Sequence, residues 1–287
     1  DADLLAHLKI AQLLGNKPIL NAANQHFDIL HVIAGINRVV SDFRVAFDAD
    51  ARVLALGRWA VAGLVLGVLA RHEIWQARRQ IWSDRWQYLA LGALGMLVCG
   101  AWVYWGAQTT SAMNIALIYA AAPVLITWGS AIWLDERMRA RQMWGVALAL
   151  VGVVHVVVKG DWVALSRIQW VVGDGFIIAA TVSWAAYAML QKKWVCTLSS
   201  TARLACICAG GVITLLPFAV WEGMQPQVPP WTWYATALLL AVALVPGIGA
   251  YWIYAWAQKT LGASRTSMTL YLGPLWGALV SWGLLGE

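Results

Sequence analysis

The sequence predicts an all-α integral membrane protein, and its composition, its apolar runs and the placement of its charges all support this fold class. Of the 287 residues, 61% are hydrophobic and only 12% are charged, and the mean hydropathy is +0.66. A soluble domain carries about 25% charged residues, so this chain lacks the polar side chains to cover a globule of its size. The composition therefore excludes a soluble enzyme, a disordered chain or a nucleic-acid-binding protein as the main interpretation.

Apolar runs recur along the chain from residue 51 onwards. A helix needs about 20 mostly apolar residues to cross the hydrocarbon core of a bilayer. Eight runs meet this length and are bounded by charges, by Pro and Gly or by Trp and Tyr: 51–70, 86–105, 112–134, 142–158, 173–190, 204–221, 231–257 and 267–285. Each of them is predicted to be a membrane-spanning helix.

Residues 1–50 match this pattern poorly, because polar side chains interrupt the apolar stretch 29–40. Extended towards the N terminus, this segment could form a first span whose one helix face carries Asn24, Asp28 and His31. An amphipathic helix lying at the membrane interface is the alternative. Both are left open for this poorly matching N-terminal segment.

The basic residues predict the orientation of the spans. With the N-terminal segment counted as the first span, the loops after the second, fourth, sixth and eighth spans hold twelve Lys and Arg residues. The loops between them hold only Lys159 and Arg167. Loops rich in Lys and Arg remain on the cytoplasmic side. The sequence therefore predicts a multi-pass protein of the cell (inner) membrane, with its Arg-rich loops in the cytoplasm.

Three short motifs occur twice, at a spacing of 150 or 151 residues. Tyr104-x-x-Ala107-Gln108 returns as Tyr254-x-x-Ala257-Gln258, Pro123 as Pro274, and Leu134-Asp135-Glu136 as Leu285-Gly286-Glu287. The spacing covers five spans, so the second copy enters the membrane in the opposite sense, an architecture of secondary transporters. We call residues 51–158 the first repeat and residues 173–287 the second repeat. By comparison with the first repeat, we expect a tenth span after Glu287, which this sequence lacks.

The repeat also resembles a known family. The stretch Asn114-Ile-Ala-Leu-Ile-Tyr-Ala-Ala-Ala-Pro123, the motif Leu134-Asp135-Glu136-Arg137 and the residues Arg141-Gln142-x-x-Gly145 and Gly152-Val153 resemble the repeat of the EamA family. This family belongs to the drug/metabolite transporter superfamily, and the resemblance covers roughly residues 52–287. It implies ten helices in two inverted five-helix halves and alternating access for small metabolites, often as efflux. Residues 1–50 do not look like the usual first helix.

Polar and aromatic side chains within the spans are the candidate substrate ligands. The spans from residue 86 onwards contain no Asp or Glu between their first and last turns, and Asp174 lies at the mouth of one of them. This absence favours neutral or zwitterionic substrates that are held by aromatic faces and hydroxyl groups. The predicted ligands are Tyr104, Asn114, Tyr119, Trp184, Tyr187, Tyr254 and Tyr271. Packing within the bundle and anchoring at the interface are the alternatives for each of them.

A second group of residues is predicted to have structural or hinge functions. Pro123 and Pro274 fall inside spans at matching depths and can kink them, either as pivots or as static bends. We expect Gly145 and Gly152 to allow close helix contact, Glu136 to cap a helix end, and Glu287 to be its counterpart. Arg58, within the first long apolar run, either extends to the interface or attracts a substrate carboxylate.

These observations predict a transporter that moves small organic metabolites by alternating access, with efflux of amino acids or related compounds as the first interpretation. A non-transporting membrane scaffold or subunit is the alternative. An intramembrane enzyme is disfavoured, because no His, Asp and Ser cluster or metal-ligand cluster occurs at catalytic spacing. We expect no catalytic residues, no metal and no cofactor. The expected partners are the lipid bilayer and a small-molecule substrate but no nucleic acid, and formation of a homodimer is left open.

Overall fold

A computed structural model describes residues 51–134, 136, 140–224 and 233–272. All secondary structure within these ranges is helical, which confirms the predicted all-α class. The predicted first span lies outside the described residues, as do Pro274 and Glu287.

Thirteen α-helices follow one another in the described ranges. They are α1 Ala51–Leu69, α2 Arg71–Gln76, α3 Arg78–Ser83, α4 Arg85–Gly92, α5 Trp102–Ala107, α6 Ala112–Tyr119, α7 Ala122–Trp133, α8 Ala140–Val157, α9 Val172–Lys193, α10 Ser200–Gly223, α11 Trp233–Val242, α12 Tyr251–Leu261 and α13 Ala263–Ser267. Two π-helical segments, Ala93–Ala101 and Ala243–Ala250, and two 3₁₀-helices, Trp162–Arg167 and Met268–Leu272, lie between them.

Six continuous helical stretches in the described part are long and apolar enough to cross a membrane. They are Arg85–Ala107, Met113–Trp133, Ala140–Val157, Val172–Lys193, Ser200–Trp221 and Leu239–Leu261, with Ala55–Leu69 as a shorter apolar helix. Most of their ends lie within about three residues of the predicted ones, because the length of an apolar run determines how much of the chain is helical in a membrane. The stretch that ends at Leu261 differs most, since the run 231–257 continues past its predicted end.

The α-helical hydrogen-bonding pattern is interrupted within the span that contains Pro123, although Ala120 and Ala121 keep right-handed helical backbone angles. Helix α6 ends at Tyr119, Ala120 and Ala121 form a turn, and α7 begins at Ala122 with Pro123 in its first turn. A proline at this position costs no hydrogen bond, since the first N–H groups of a helix have no partner within it. The proline thus starts a new helical segment in the middle of the membrane-spanning stretch.

The two π-helical segments occupy corresponding positions in the two repeats. They begin at Ala93 and Ala243, and so they keep the 150-residue spacing of the sequence repeat. Side chains of the second repeat donate to carbonyl groups of the first segment: Ser183 Oγ to Leu94 O at 2.8 Å and Tyr251 Oη to Gly95 O at 3.2 Å. The segments therefore lie where the two repeats meet.

Helix α10 packs chiefly against α1 and α4. At the crossing with α4, a Cβ on Gly92 would overlap the backbone of Gly211, so the two helices touch backbone to backbone. Gly145 and Gly152 on α8 differ, since a Cβ at either would meet no atom within 4 Å. Among the described residues, no neighbouring helix therefore makes the close contact that was predicted for these two glycines.

Candidate functional site

A cavity of about 410 Å³ lies between the two repeats. Its wall includes Cys99, Tyr119, Pro123 and Val153 from the first repeat and Trp184 and Tyr271 from the second. The cavity adjoins the break between α6 and α7, where Ala120 and Ala122 also line it. The interrupted helix thus provides space in the middle of a membrane-spanning stretch, which is where transporters of the inverted-repeat type hold their substrates.

The cavity is mostly apolar, and two of the residues that line it are the tyrosines Tyr119 and Tyr271. The hydroxyl of Tyr271 is buried and has no hydrogen-bond partner among the described residues. The hydroxyl of Tyr119 lies beside the thiol of Cys99. A buried polar group without a partner is costly, so the Tyr271 hydroxyl is suited to binding a polar group of a bound molecule.

A cluster of five aromatic side chains continues from the cavity wall into the bundle. Trp184 stacks on Tyr187 with 5.3 Å between ring centroids and contacts Tyr251 and Tyr254 at 5.5 and 5.2 Å. Trp59 contacts Tyr251 edge-on at 4.8 Å. We call these five residues the aromatic cluster. Of its members, Trp184 alone is among the residues described as lining the cavity.

Three other predicted ligands, Tyr104, Tyr187 and Tyr254, are not among the residues that line the cavity. Tyr187 is only 1% exposed and belongs to the packed core. The hydroxyl of Tyr254 is buried without a partner among the described residues, and Tyr104 is partly buried against the core. The structure thus places Tyr119, Trp184 and Tyr271 at the cavity, and Tyr187 and Tyr254 behind it.

Sequence reasoning missed two members of the aromatic cluster, Trp59 and Tyr251. Tyr251 precedes Tyr254 by three residues, so both lie on one helix face, and this spacing is a signal that could have identified it. Trp59 lies in an apolar run with no distinguishing pattern around it. Only its position against Tyr251 in the folded chain reveals its contact with the second repeat.

Asn114 lies at the end of the bundle opposite the Arg-rich loops and contacts Asp174. The Asp174 carboxylate is 1% exposed and accepts hydrogen bonds from Thr110 Oγ1, from Asn114 Nδ2 at 3.2 Å and from the Val171 amide at 2.9 Å. Asp174 lies in the first turn of α9, where the helix dipole favours a negative charge. The Asn114 side chain therefore joins the first repeat to this carboxylate.

At the Arg-rich end, the Glu136 carboxylate of the first repeat caps α13 of the second repeat. It accepts hydrogen bonds from the Ala263 amide at 3.1 Å, from the Ser264 amide at 3.1 Å and from Ser264 Oγ at 2.8 Å. Gly262 allows this approach, since its φ is +89° and a Cβ there would lie 2.9 Å from Glu136 Oε1. Partial burial raises the pKa of the Glu136 carboxyl. The hydrogen bonds from Ser264 and Ala263 and the charge of Lys192 lower it by more, so the net pKa lies below its ordinary value.

A second glutamate makes a similar contact at the same end. Glu73 accepts hydrogen bonds from the Ser199 amide and from Ser199 Oγ, each at 2.6 Å. Ser199 immediately precedes α10. Two carboxylates of the first repeat thus bind the starts of two helices that follow it in the chain.

The described residues contain no group of three His, Cys, Asp or Glu side chains that could hold a metal ion.

Comparison with known proteins gives a consistent match. The EamA-like transporter family matches residues 29–158 and 171–287. The uncharacterized transporter YyaM of Bacillus subtilis is 27% identical over 80% of this chain and 75% of its own length. An uncharacterized transporter of Archaeoglobus fulgidus is 27% identical over 71% of this chain and 70% of its own. A probable terminal-alkyne amino-acid exporter of Streptantibioticus cattleyicolor is also 27% identical, over 82% of this chain and 76% of its own length.

Proposed function

The chain belongs to the EamA-like transporter family, and from this premise we propose that it moves small organic metabolites by alternating access, with efflux of amino acids or related compounds as its activity. Membership of this family makes the protein a membrane transporter. We propose in addition its mechanism, its substrate class and its direction of transport.

The observation that carries the proposal is the 410 Å³ cavity between the repeats. Its volume is in the range of small-molecule sites, and its lining combines aromatic surface with the unpartnered hydroxyl of Tyr271. A substrate that packs on the Trp184 ring and hydrogen-bonds the Tyr271 hydroxyl would use both the aromatic surface and the unpartnered polar group. We therefore propose Tyr119, Trp184 and Tyr271 as substrate contacts.

Alternating access requires contacts between the repeats that can form and break at each end of the bundle. The caps by Glu136 and Glu73 are such contacts at the Arg-rich end, and the contact of Thr110 and Asn114 with Asp174 is one at the opposite end. We propose that the repeats rock about the central cavity, with one set of contacts released at a time. The break before Pro123 provides a pivot at the cavity wall.

The substrate class is proposed from the chemistry of the cavity. The lining is aromatic and carries no carboxylate among the described residues, which disfavours simple organic cations. Amino acids combine a polar head with an apolar side chain and suit such a lining. The relative named as a probable terminal-alkyne amino-acid exporter supports the same class.

The placement in the cell follows from the charges. We propose that the Arg-rich end faces the cytoplasm and that the protein resides in the inner membrane, in accordance with the distribution of Lys and Arg. The proposed partners are the lipid bilayer and the transported compound, and the proposed activity is transport without catalysis of a chemical reaction.

Flux into proteoliposomes tests the proposal. The purified chain should give saturable flux of one or more members of a panel of amino acids and related metabolites. Tyr271→Phe should weaken the apparent substrate affinity about 3- to 10-fold, because it removes one hydrogen bond worth about 1 kcal/mol. Tyr88→Phe is the matched control, since the Tyr88 hydroxyl contacts Cys196 Sγ at 3.6 Å and lies outside the cavity. Flux no greater than in empty liposomes would favour the alternative, a non-transporting scaffold or subunit.

A further inference from the structure

Arg58 of α1 points into the bundle. If Gly247 carried a Cβ, that atom would lie 3.6 Å from Arg58 Cγ. A Cβ on Gly100 would likewise lie 3.6 Å from Arg58 Nη2. These two glycines belong to the two π-helical segments, one from each repeat. The guanidinium group lies over the Trp59 ring, 4.6 Å from its centroid. The side chain is thus held between the repeats. Extension to the membrane interface, which was one of the two alternatives from the sequence, is not what the structure shows.

No carboxylate in the described part of the chain balances this charge. Among the described membrane-spanning stretches, the one acidic side chain is Asp174. Its oxygens are already bound by Thr110, Asn114 and the Val171 amide. An unpaired charge within a membrane is costly and marks a functional site in most cases.

N–H groups of Arg58 and Trp59 converge beside Gly100. Arg58 Nε and Trp59 Nε1 are both buried without a hydrogen-bond partner among the described residues, and Trp59 is 0% exposed. Trp59 Nε1, like Arg58 Nη2, lies 3.6 Å from the place of a Cβ on Gly100. Because glycine has no side chain, no methyl group covers the two donors at this position. We call Arg58, Trp59 and Gly100 the anion cradle.

The anion cradle adjoins the proposed substrate cavity and lacks a glycine at the corresponding position of the second repeat. Gly100 follows Cys99, which lines the cavity, and Trp59 contacts Tyr251 of the aromatic cluster. At the repeat spacing of 150 residues, Gly100 corresponds to Ala250, which carries a methyl group. The two halves are therefore not equivalent at this position, and a ligand that uses the cradle binds in one orientation.

We propose that Arg58 and the Trp59 indole N–H bind the carboxylate of the transported compound beside Gly100. This inference rests on the proposed function and narrows its substrate class to compounds with a carboxylate, such as α-amino acids. The guanidinium group supplies a charge-assisted, two-donor contact, and the indole supplies a third donor. The apolar part of the ligand then extends towards Trp184 and the cavity. Amines that lack a carboxylate are not ligands.

Three variants test the cradle on the full chain. Arg58→Gln removes the charge, and Trp59→Phe removes the indole N–H but keeps a smaller aromatic ring. Gly100→Ala adds a methyl group in ordinary van der Waals contact with both donors, so the fold should tolerate it while the methyl group hinders the approach of an acceptor. Gly67→Ala is the matched control, since a Cβ there meets no atom within 4 Å.

The probes are sets of compounds that differ in one group. One set is leucine, its decarboxylated amine 3-methylbutylamine, its deaminated acid 4-methylpentanoate and leucinamide; phenylalanine gives a second set. Inorganic phosphate is included as an anion without an apolar part. The readouts are the shift in thermal unfolding midpoint in detergent and competition for flux in proteoliposomes.

We expect the amino acids and the deaminated acids to stabilise the protein, and the amines and amides not to do so. Arg58→Gln and Gly100→Ala should weaken this binding about 10- to 100-fold, as expected for loss of a charge-assisted hydrogen bond, and Trp59→Phe should weaken it less. Without ligand, Arg58→Gln should be at least as stable as the wild type, since it removes an unpaired charge.

Several outcomes would overturn the inference: binding of the amines as strong as that of the acids, binding unaffected by Arg58→Gln or Gly100→Ala, stabilisation by phosphate alone, or no stabilisation by any carboxylate of the panel. Flux of amines that is insensitive to Arg58→Gln would leave the transport proposal in place and remove the cradle. Carboxylate binding without flux would leave the cradle in place and remove the transport proposal.

Discussion

The carboxylates that join the two repeats are held differently at the two ends of the bundle. At the Arg-rich end, Glu136 reaches across to backbone amides of α13 and remains partly exposed. At the opposite end, Asp174 belongs to the helix that it caps, is almost completely buried, and draws the side chains of Thr110 and Asn114 towards it. One junction is a solvated contact between a side chain and a backbone, and the other is a buried network of side chains.

This difference indicates which end opens at the lower cost. Water can replace the amide donors of Glu136 as the contact breaks, so little free energy is lost. Breaking the Asp174 network would take the Thr110 and Asn114 donors away from a buried carboxylate and leave it with the Val171 amide, which costs more. We expect the Arg-rich end to open more readily than the opposite end.

The largest expected effect is that of Asp174→Ala. This change removes the acceptor for three donors and should lower the free energy of unfolding by about 3 kcal/mol, from buried donors left without partners. Thermal unfolding in detergent measures it. The control is Asp161→Ala, since Asp161 is exposed and accepts one hydrogen bond from the Val163 amide at 3.0 Å. A similar loss in both variants would contradict the contrast between the two ends.

A smaller effect is expected for Glu136→Ala, which removes three hydrogen bonds from a partly exposed site. We expect about 1.4 kcal/mol less stabilisation of the closed Arg-rich end, and thus about tenfold faster labelling from that side. The reporter is Cys99 in the cavity wall, labelled by an impermeant thiol reagent after Cys196, Cys206 and Cys208 have been changed to alanine. Unchanged labelling from the Arg-rich side would show that this cap does not control access.

Acidification should weaken the same junction by less than truncation does. Because folding lowers the pKa of Glu136 from the ordinary value of 4.5, its ionised form stabilises the junction above that pH, and this contribution is lost as the pH falls through the lowered pKa. Labelling of Cys99 from the Arg-rich side, relative to labelling of a free thiol at the same pH, should therefore rise below pH 4.5. Glu136→Gln, which cannot ionise, should show a smaller rise, and an equal rise in both proteins would rule out this group.

The smallest effect is expected for Ser264→Ala. It removes the 2.8 Å hydrogen bond to Glu136 and leaves the two amide bonds in place. The expected loss is about 0.5 kcal/mol, the lower limit for a hydrogen bond at a partly exposed site, measured as a shift in the unfolding midpoint. Ser166→Ala provides the comparison, since its exposed hydroxyl donates to Val163 O away from the junction.

The sequence predicted the helices well and the interruptions within them poorly. The run 86–105 became the stretch Arg85–Ala107, because apolar length alone determines where a helix can cross a bilayer. The π-helical segments depend on contacts with the other repeat, such as Tyr251 Oη on the Gly95 carbonyl, and no local pattern reports such contacts. The proline pattern identified the region of the break at Ala120 but not its form.

The candidate site was predictable in residue type and only partly in position. Tyrosine and tryptophan within apolar runs were identified as candidates, and Tyr119, Trp184 and Tyr271 do line the cavity. Asn114 could not be separated from them, because its partner Asp174 is 60 residues away in the chain. Arg58 left two alternatives open in the sequence, and its contacts with glycines of the π-helical segments place the side chain between the repeats.

The paired π-helical segments have a consequence for how the chain can vary. Each residue of an α-helix turns the chain by about 100°, and a π-helical turn accommodates an added residue within such a helix. A single-residue deletion within Ala93–Ala101 would therefore return a π-helical turn to α-helical geometry and keep Tyr104 and the rest of α5 in register, and a deletion within Ala243–Ala250 would do the same for Tyr254. We expect these two stretches to tolerate the loss of one residue better than the α-helices beside them, where such a loss would rotate all that follows by about 100°.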